Sequence, residues 1–360
     1  MATVPPNPHP IPQTPRGRGS STIPSGRFEP MAYAPEYEDL TVEDLPEYRT
    51  QYFKDHSKSI ISTNDSPDVH FDASINPYRG CEHGCVYCYA RPTHEYLGLS
   101  PGLDFETKIF VKENAPELLK NELSSKKWVP KLLGISGVTD CYQPIEKELK
   151  LTRGCLEVLA DFRNPVGIIT KNHLVTRDID LLKKLRLYRA SMVYLSLTTL
   201  DEDLRRKMEP RTASVRRRIE AIAELADSGV PVGTILGPVI PGLNDSETPA
   251  LLEETARAGA KHASYIMLRL PYGISDLFET WLQEHFPSKA GKVMHHVREM
   301  RGGKTNDSNF KTRMRGEGAY AEHIAALFRL QCKRLGLNRE RPILSAQSFR
   351  RPGPVQLSLF

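Results

Sequence analysis

Between residues 69 and 271, short apolar runs alternate with stretches in which apolar residues recur every three to four positions. The short runs are rich in β-branched residues and predict strands over 69–75, 131–138, 166–170, 192–197, 232–236 and 263–270. The intervening amphipathic pattern predicts helices over 116–123, 145–162, 178–187, 214–227 and 247–258. Asp178 reads as a helix N-cap, and Gly229 and Gly259 stand where helices should stop. Strand–helix units with short connections imply a parallel sheet with right-handed crossovers. About six such units make an α/β fold, a partial barrel whose functional end is the carboxyl end of its strands.

After residue 271 the pattern turns helical over 277–286, 289–300 and 319–335, with a Gly-rich, basic connection over 302–318. This C-terminal helical region, 272–340, is expected to close the open side of the barrel domain, 69–271. Ahead of the barrel the periodicity disappears. Residues 1–30 are rich in Pro, Gly, Ser and Arg, with Ile11, Ile23 and Phe28 as their main large apolar residues, so disorder is expected. Residues 31–68 scatter Tyr33, Tyr37, Tyr48, Tyr52 and Phe53 among acidic residues, as in an extended arm draped over the core. Residues 341–360 form a tail.

The 360 residues, 39% of them hydrophobic, suffice for a proper core. No apolar run of about 18 residues and no apolar leader appear, which predicts a cytoplasmic protein without membrane attachment. The net charge of +5 is modest, but basic residues cluster. One group is Arg205, Arg206, Arg211, Arg216, Arg217 and Arg218; the other is Arg298, Arg301, Lys304, Lys311, Arg313 and Arg315. Clustered cations attract phosphate backbones; equally, they can form a solvated helix face with partners such as Glu202, Asp203 and Glu220.

Three of the six cysteines fall in the stretch Cys81-Glu-His-Gly-Cys85-Val-Tyr-Cys88, flanked and interrupted by Gly80 and Gly84. Thiols so spaced in a glycine-softened loop, with the other three scattered, suit a reducing compartment and metal ligation better than a disulfide framework. Three thiolates can hold three irons of a four-iron four-sulfur (4Fe-4S) cluster and leave the fourth iron open to a small chelating molecule. A Cys3His zinc site with His83, His94 or a distant histidine is the alternative.

With aromatic Tyr87 before the third cysteine and Tyr89 after it, the stretch resembles the signature of the radical S-adenosylmethionine (radical SAM) superfamily. That resemblance implies an open (βα)6 barrel, a 4Fe-4S cluster on Cys81, Cys85 and Cys88, and S-adenosylmethionine chelating the free iron. It also implies a 5′-deoxyadenosyl radical, and an electron donor such as flavodoxin or ferredoxin. The run Thr139-Asp140-Cys141-Tyr142-Gln143-Pro144-Ile145-Glu146, the Thr170-Lys171-Asn172 strand end, Ser196, the 233–245 segment and Arg313-Met314-Arg315-Gly316 resemble a narrower branch related to spore photoproduct lyase. By that resemblance Lys171 and Ser196 contact the methionyl carboxylate and ribose, Thr139 and Asp140 line the site, and the Tyr87 backbone touches adenine. The branch also implies a nucleic-acid substrate and DNA-repair-like lyase or modification chemistry. One departure matters. Spore photoproduct lyases place a hydrogen-donating cysteine three residues before the strand-two aspartate, where this chain has Gly137. Cys141 takes that catalytic role only if the loop turns it inward; otherwise it is a buried thiol.

The chain ends in Gln356-Leu357-Ser358-Leu359-Phe360 behind a Pro- and Gly-rich stretch. An apolar cluster on such a tether needs a receiving surface, and these residues resemble the bacterial sliding-clamp-binding peptide. Two other functions fit the same residues: radical modification of a peptide, tRNA or metabolite, and a non-catalytic metal-dependent module recruited to the clamp.

Overall fold

The apolar runs fold as the parallel strands that their composition predicts, and the site lies where those strands end. The structure, a computed structural model, describes residues 17–24, 26–28, 48–69, 71–340 and 343–353. Its strands are β1 (Gln51–Lys54), β2 (Ile61–Thr63), β3 (Ala73–Ile75), β4 (Tyr78–Arg79), β5 (Lys108–Val111), β6 (Leu133–Ile135), β7 (Val166–Thr170), β8 (Ser191–Leu197), β9 (Val232–Val239) and β10 (His262–Met267). Seven form one sheet in the order β10-β9-β8-β7-β6-β3-β2. Its six parallel members, β3 and β6 to β10, are the six predicted strands. The sheet remains open, with β2 and β10 as its edges. Along β8 all but one residue is buried, as expected of a strand covered on both faces.

The predicted helices pack against this sheet, with Leu156, Leu182, Ile222 and Leu252 in the shared core. The expected helix over 145–162 is two helices, Glu146–Leu149 and Leu151–Phe162, broken at Lys150 with φ +54°. The break has a physical cause. The buried Glu146 carboxylate accepts from the Thr152 amide at 3.0 Å, and so satisfies a free N–H at the start of the second helix. It also accepts from the Tyr78 hydroxyl at 2.5 Å and from Arg177 at 2.7 Å. Asp178 does not cap its helix; its side chain accepts from Arg153, Arg177 and Tyr142 instead. Gly229 and Gly259 do end helices, with φ +74° and +105°.

Helices Ile274–His285 and Pro287–Glu299 form a second core with Val86 and Tyr87 of the cysteine loop, through Phe278, Trp281 and Val293. Helix Gly318–Leu335 packs beside β10, where Phe328 meets Tyr265 at 4.7 Å between ring centroids. Of the 31–68 arm, residues 48–68 are described, and they are more ordered than a draped chain. Its β2 adds an antiparallel edge to the main sheet, and its β1 pairs with β5, which in turn pairs with β4. Within the segment expected to be disordered, residues 17–24 and 26–28 follow a defined path, and the rest of 1–30 lies outside the described residues.

The first basic segment is a network of internal ion pairs. Arg205 and Arg206 reach Glu202, Arg211 reaches Glu82, Arg216 and Arg217 reach Glu220, and Arg218 reaches Glu209. Replacing Glu146 by Ala leaves Arg177 and Tyr78 without their shared acceptor and should cost about 3 kcal/mol. Urea denaturation measures this, and a loss below about 1 kcal/mol would show that the carboxylate is dispensable.

Candidate metal and cofactor site

Strand β4 leads directly into the cysteine loop, whose tight path depends on two glycines. Gly80 (φ +79°) sits where a Cβ would lie 3.0 Å from the Phe105 carbonyl, and Gly84 (φ +66°) where it would lie 2.6 Å from a Glu106 oxygen. Backbone bonds then fix the curl: the Cys81 amide donates to Phe105, the Val86 amide to Met208, and the Cys88 amide to Cys85. All three cysteines are free thiols. Burial pushes each thiol up, but the Asp140 amide hydrogen-bonds the Cys81 sulfur and the Ala90 and Arg91 amides hydrogen-bond that of Cys88. Arg91 and Lys171 favour thiolate at Cys88, while at Cys85 Glu209 works against it and Lys171 and Arg218 for it.

Amide donors and cations around soft sulfur ligands suit an iron–sulfur cluster. Among the described residues no three Cys, His, Asp or Glu side chains converge on a single ion. Thiolates of a cluster each take a different iron and need not converge. The imidazoles considered for zinc are engaged elsewhere. His83 lies between Asp140 and Asn172. His94 shares a hydrogen bond with the Lys108 carbonyl, and burial pushes its pKa down to about 4.

Next to the loop, Lys171 follows the end of β7. Its ammonium donates to Ser196 Oγ at 2.8 Å and to the Gly237 carbonyl at 3.0 Å, so the two residues expected to act together do meet. The sequence reading missed their organiser, Glu209. This fully buried carboxylate lies 3.1 Å from the Lys171 ammonium and 2.5 Å from Arg218. It also accepts from Thr198 and from the Tyr87 hydroxyl. Burial alone would push the Glu209 carboxyl up; Arg218, Lys171 and the two hydroxyls outweigh it and hold the group well below the usual carboxylate range. The available signal was a single acid within an arginine-rich run.

Asp140 ties strand ends together. Its oxygens accept from Thr170 Oγ1 and the Lys171 amide, both at 2.7 Å, and from the Tyr142 amide at 2.9 Å. Thr139, also buried, donates to the Tyr78 carbonyl. Gln143 clasps the loop from both sides, accepting from the Glu82 amide and donating to the Gly80 carbonyl. Cys141 stands apart: it is buried in the main core, and the Ser136 hydroxyl bonds its amide. At the mouth, Tyr89 donates to the Gly137 carbonyl, and the Arg269 guanidinium lies 4.5 Å from its ring centroid.

A further group was invisible to pattern reading, because Gly, Ser and Arg there suggest disorder. Residues 17–24 form a strap against the cysteine loop. The Gly19 and Ser20 amides both donate to Glu106 at 2.9 Å. Glu106 in turn receives buried Arg91 at 2.5 Å, and Arg91 donates to the Cys85 carbonyl at 3.0 Å. A Cβ on Gly19 would lie 1.7 Å from the Gly84 carbonyl oxygen. Gly19→Val should therefore lift the strap and reduce the iron retained after anaerobic reconstitution by at least about half, while urea unfolding of the distant sheet core changes little. Iron content equal to wild type would show that the strap does not support the loop.

The radical SAM superfamily model matches residues 75–255. An uncharacterised protein of Mycobacterium tuberculosis is 35% identical over 219 residues, 60% of this chain and 64% of the relative, so the match spans less than two thirds of that protein. A protein of Pseudomonas phage M6 named radical SAM Nalpha-GlyT isomerase is 30% identical over 190 residues, 52% of this chain and 37% of that protein. Spore photoproduct lyase complexed with dinucleoside spore photoproduct superposes with a TM-score of 0.56 at 16% identity, covering 81% of this chain and 82% of the lyase, which is a likeness of fold. Half of this sequence thus carries the family pattern, with its thiols just beyond the first parallel strand, and the chain belongs to the radical SAM superfamily.

Proposed function

We propose that this protein is a radical SAM enzyme that acts on nucleic acid, with DNA-repair-like lyase or base-modifying chemistry. Cys81, Cys85 and Cys88 would hold a 4Fe-4S cluster. When bound, the cluster supplies the electron that cleaves S-adenosylmethionine to a 5′-deoxyadenosyl radical. The observation that carries the reading is the convergence of the thiol loop, Lys171 and Ser196 at one end of the sheet, with the Lys171 ammonium 2.8 Å from Ser196 Oγ and 5.7 Å from the ring centroid of Tyr87 in the loop.

The chain's own residues then bind and orient. Lys171, already countered by Glu209, would place a cation on the methionyl carboxylate, and the Ser196 hydroxyl would meet the ribose. The Tyr87 backbone would touch adenine. Asp140 lines this end of β6, but its oxygens are occupied, so its part is to fix Lys171 and His83 in place. Thr139 likewise shapes the wall through its bond to Tyr78. Cys141 remains a hydrogen donor only for a conformation that turns its thiol out of the core.

The nucleic-acid assignment rests on the fold shared with spore photoproduct lyase, in a structure holding a dinucleoside spore photoproduct. The cation–ring pair of Arg269 and Tyr89 at the mouth fits it as well. Reaching a base in a duplex would require its extrusion toward that mouth. A flavodoxin or ferredoxin would donate the electron. Anaerobically reconstituted protein given dithionite and S-adenosylmethionine should release 5′-deoxyadenosine, with more release when irradiated DNA is added. Colourless, iron-free, zinc-loaded protein would overturn the reading, and stimulation by peptide alone would redirect it to peptide modification.

The clamp-binding peptide Gln356, Leu357, Ser358, Leu359 and Phe360 lies outside the described residues. We keep it as part of the proposal: deleting 356–360 should abolish capture by immobilised sliding clamp without changing iron content. Undiminished capture would remove this partner.

A further inference from the structure

Three exposed rings from three separate chain segments gather beside one arginine, two of them on it and the third on its neighbour. Arg27 lies 3.8 Å from the ring centroid of Tyr272 and 5.2 Å from that of Phe28, and Phe28 meets Tyr96 at 5.4 Å. The guanidinium is held in place by buried Glu95, with Nε donating at 2.7 Å. The resulting sequence of planes, Tyr272, Arg27, Phe28 and Tyr96, belongs to no hydrophobic core. Tyr272, Phe28 and Tyr96 are 64%, 58% and 73% exposed. Tyr272 also adopts φ +53°, a left-handed conformation that costs a bulky L-residue about 1 kcal/mol or more.

The stack adjoins the site. Tyr96 lies on the turn of helix Arg91–Leu97 that follows the cysteine loop, and Tyr272 lies in the segment after β10 that also carries Arg269. The same two segments therefore supply Tyr96 and Tyr272 as well as the Arg269–Tyr89 pair, and residues 27 and 28 bridge the two rings. In the first basic segment Arg205, Arg211 and Arg218 are held by Glu202, Glu82 and Glu209, whereas Arg269 makes no direct ion pair among the described residues, with Asp68 as its nearby carboxylate. Burial and neighbouring Arg313 work against its charge, Tyr89 and Asp68 favour it, and an incoming anion would favour it further.

We infer that this face binds the unpaired nucleic-acid strand that leads into the site, bases stacking on Tyr272, Phe28 and Tyr96 and a phosphate meeting Arg269. Flat rings beside a guanidinium suit bases without regard to sequence, and the Arg269 cation suits one backbone phosphate. The inference rests on the nucleic-acid reading above but concerns binding alone, so it can fail separately.

The test is fluorescence anisotropy of the full chain with a short labelled single strand, as DNA in one arm and RNA in the other, and with the corresponding duplex. Wild type should prefer the single strand, and the tighter arm identifies its source. Tyr272→Ala, Phe28→Ala and Tyr96→Ala should each weaken binding roughly 5- to 100-fold with the salt dependence unchanged. Arg269→Gln should instead flatten the salt dependence by about one phosphate contact. Tyr272→Phe, which keeps the ring, should restore binding. Ring variants that bind like wild type, or a preference for duplex, would overturn the stack. If nucleic acid still stimulates 5′-deoxyadenosine release in those variants, the proposed function stands without it.

Discussion

The buried carboxylate of Glu209 is the interaction on which the site depends. It draws together the Tyr87 hydroxyl of the cysteine loop, the Lys171 ammonium beyond β7, Thr198 beyond β8 and the Arg218 guanidinium. Two cations and one anion leave a residual positive charge in a place from which water is excluded. Desolvation opposes such an arrangement unless every charged atom has partners, and here the hydroxyls and the Gly237 carbonyl supply them. Lys171 and Arg91 bring positive charge to Cys88, and Lys171 and Arg218 oppose Glu209 at Cys85.

The cysteine loop itself is gripped from two sides. On the sheet side, Gln143, Glu82 and Asp140 fasten it to the end of β6. On the outer side, Arg91 and Glu106 connect it to the strap at residues 17–24. A short loop with two left-handed glycines has little intrinsic rigidity, so its geometry is borrowed from these neighbours. That explains why residues far away in sequence bear on a motif only eight residues long.

Charge is distributed in a way that separates scaffold from surface. The arginines of 205–218 look like a phosphate-binding run, yet each lies beside an acid: Arg211 and Arg218 hold the loop and Glu209, and Arg206, Arg216 and Arg217 make exposed pairs along their own helices. Cationic character with stacking capacity survives instead at the mouth, beside Tyr89 and the ring stack. Placement relative to carboxylates, rather than the number of arginines, decides which of them face a ligand.

The six parallel strands and the main helices were legible in the chain because a two-faced buried strand and a one-faced helix leave different apolar periods. The thiol loop was legible because its three cysteines lie within eight residues. Tertiary structure alone decided the rest. The 145–162 helix breaks because Glu146 is needed by Tyr78 and Arg177, a demand made from outside the segment. Asp178 gives up its capping role for the same reason. Gly19, Glu106, Glu209 and Arg269 acquire their importance from groups tens of residues away, and local pattern carries no information about such partners.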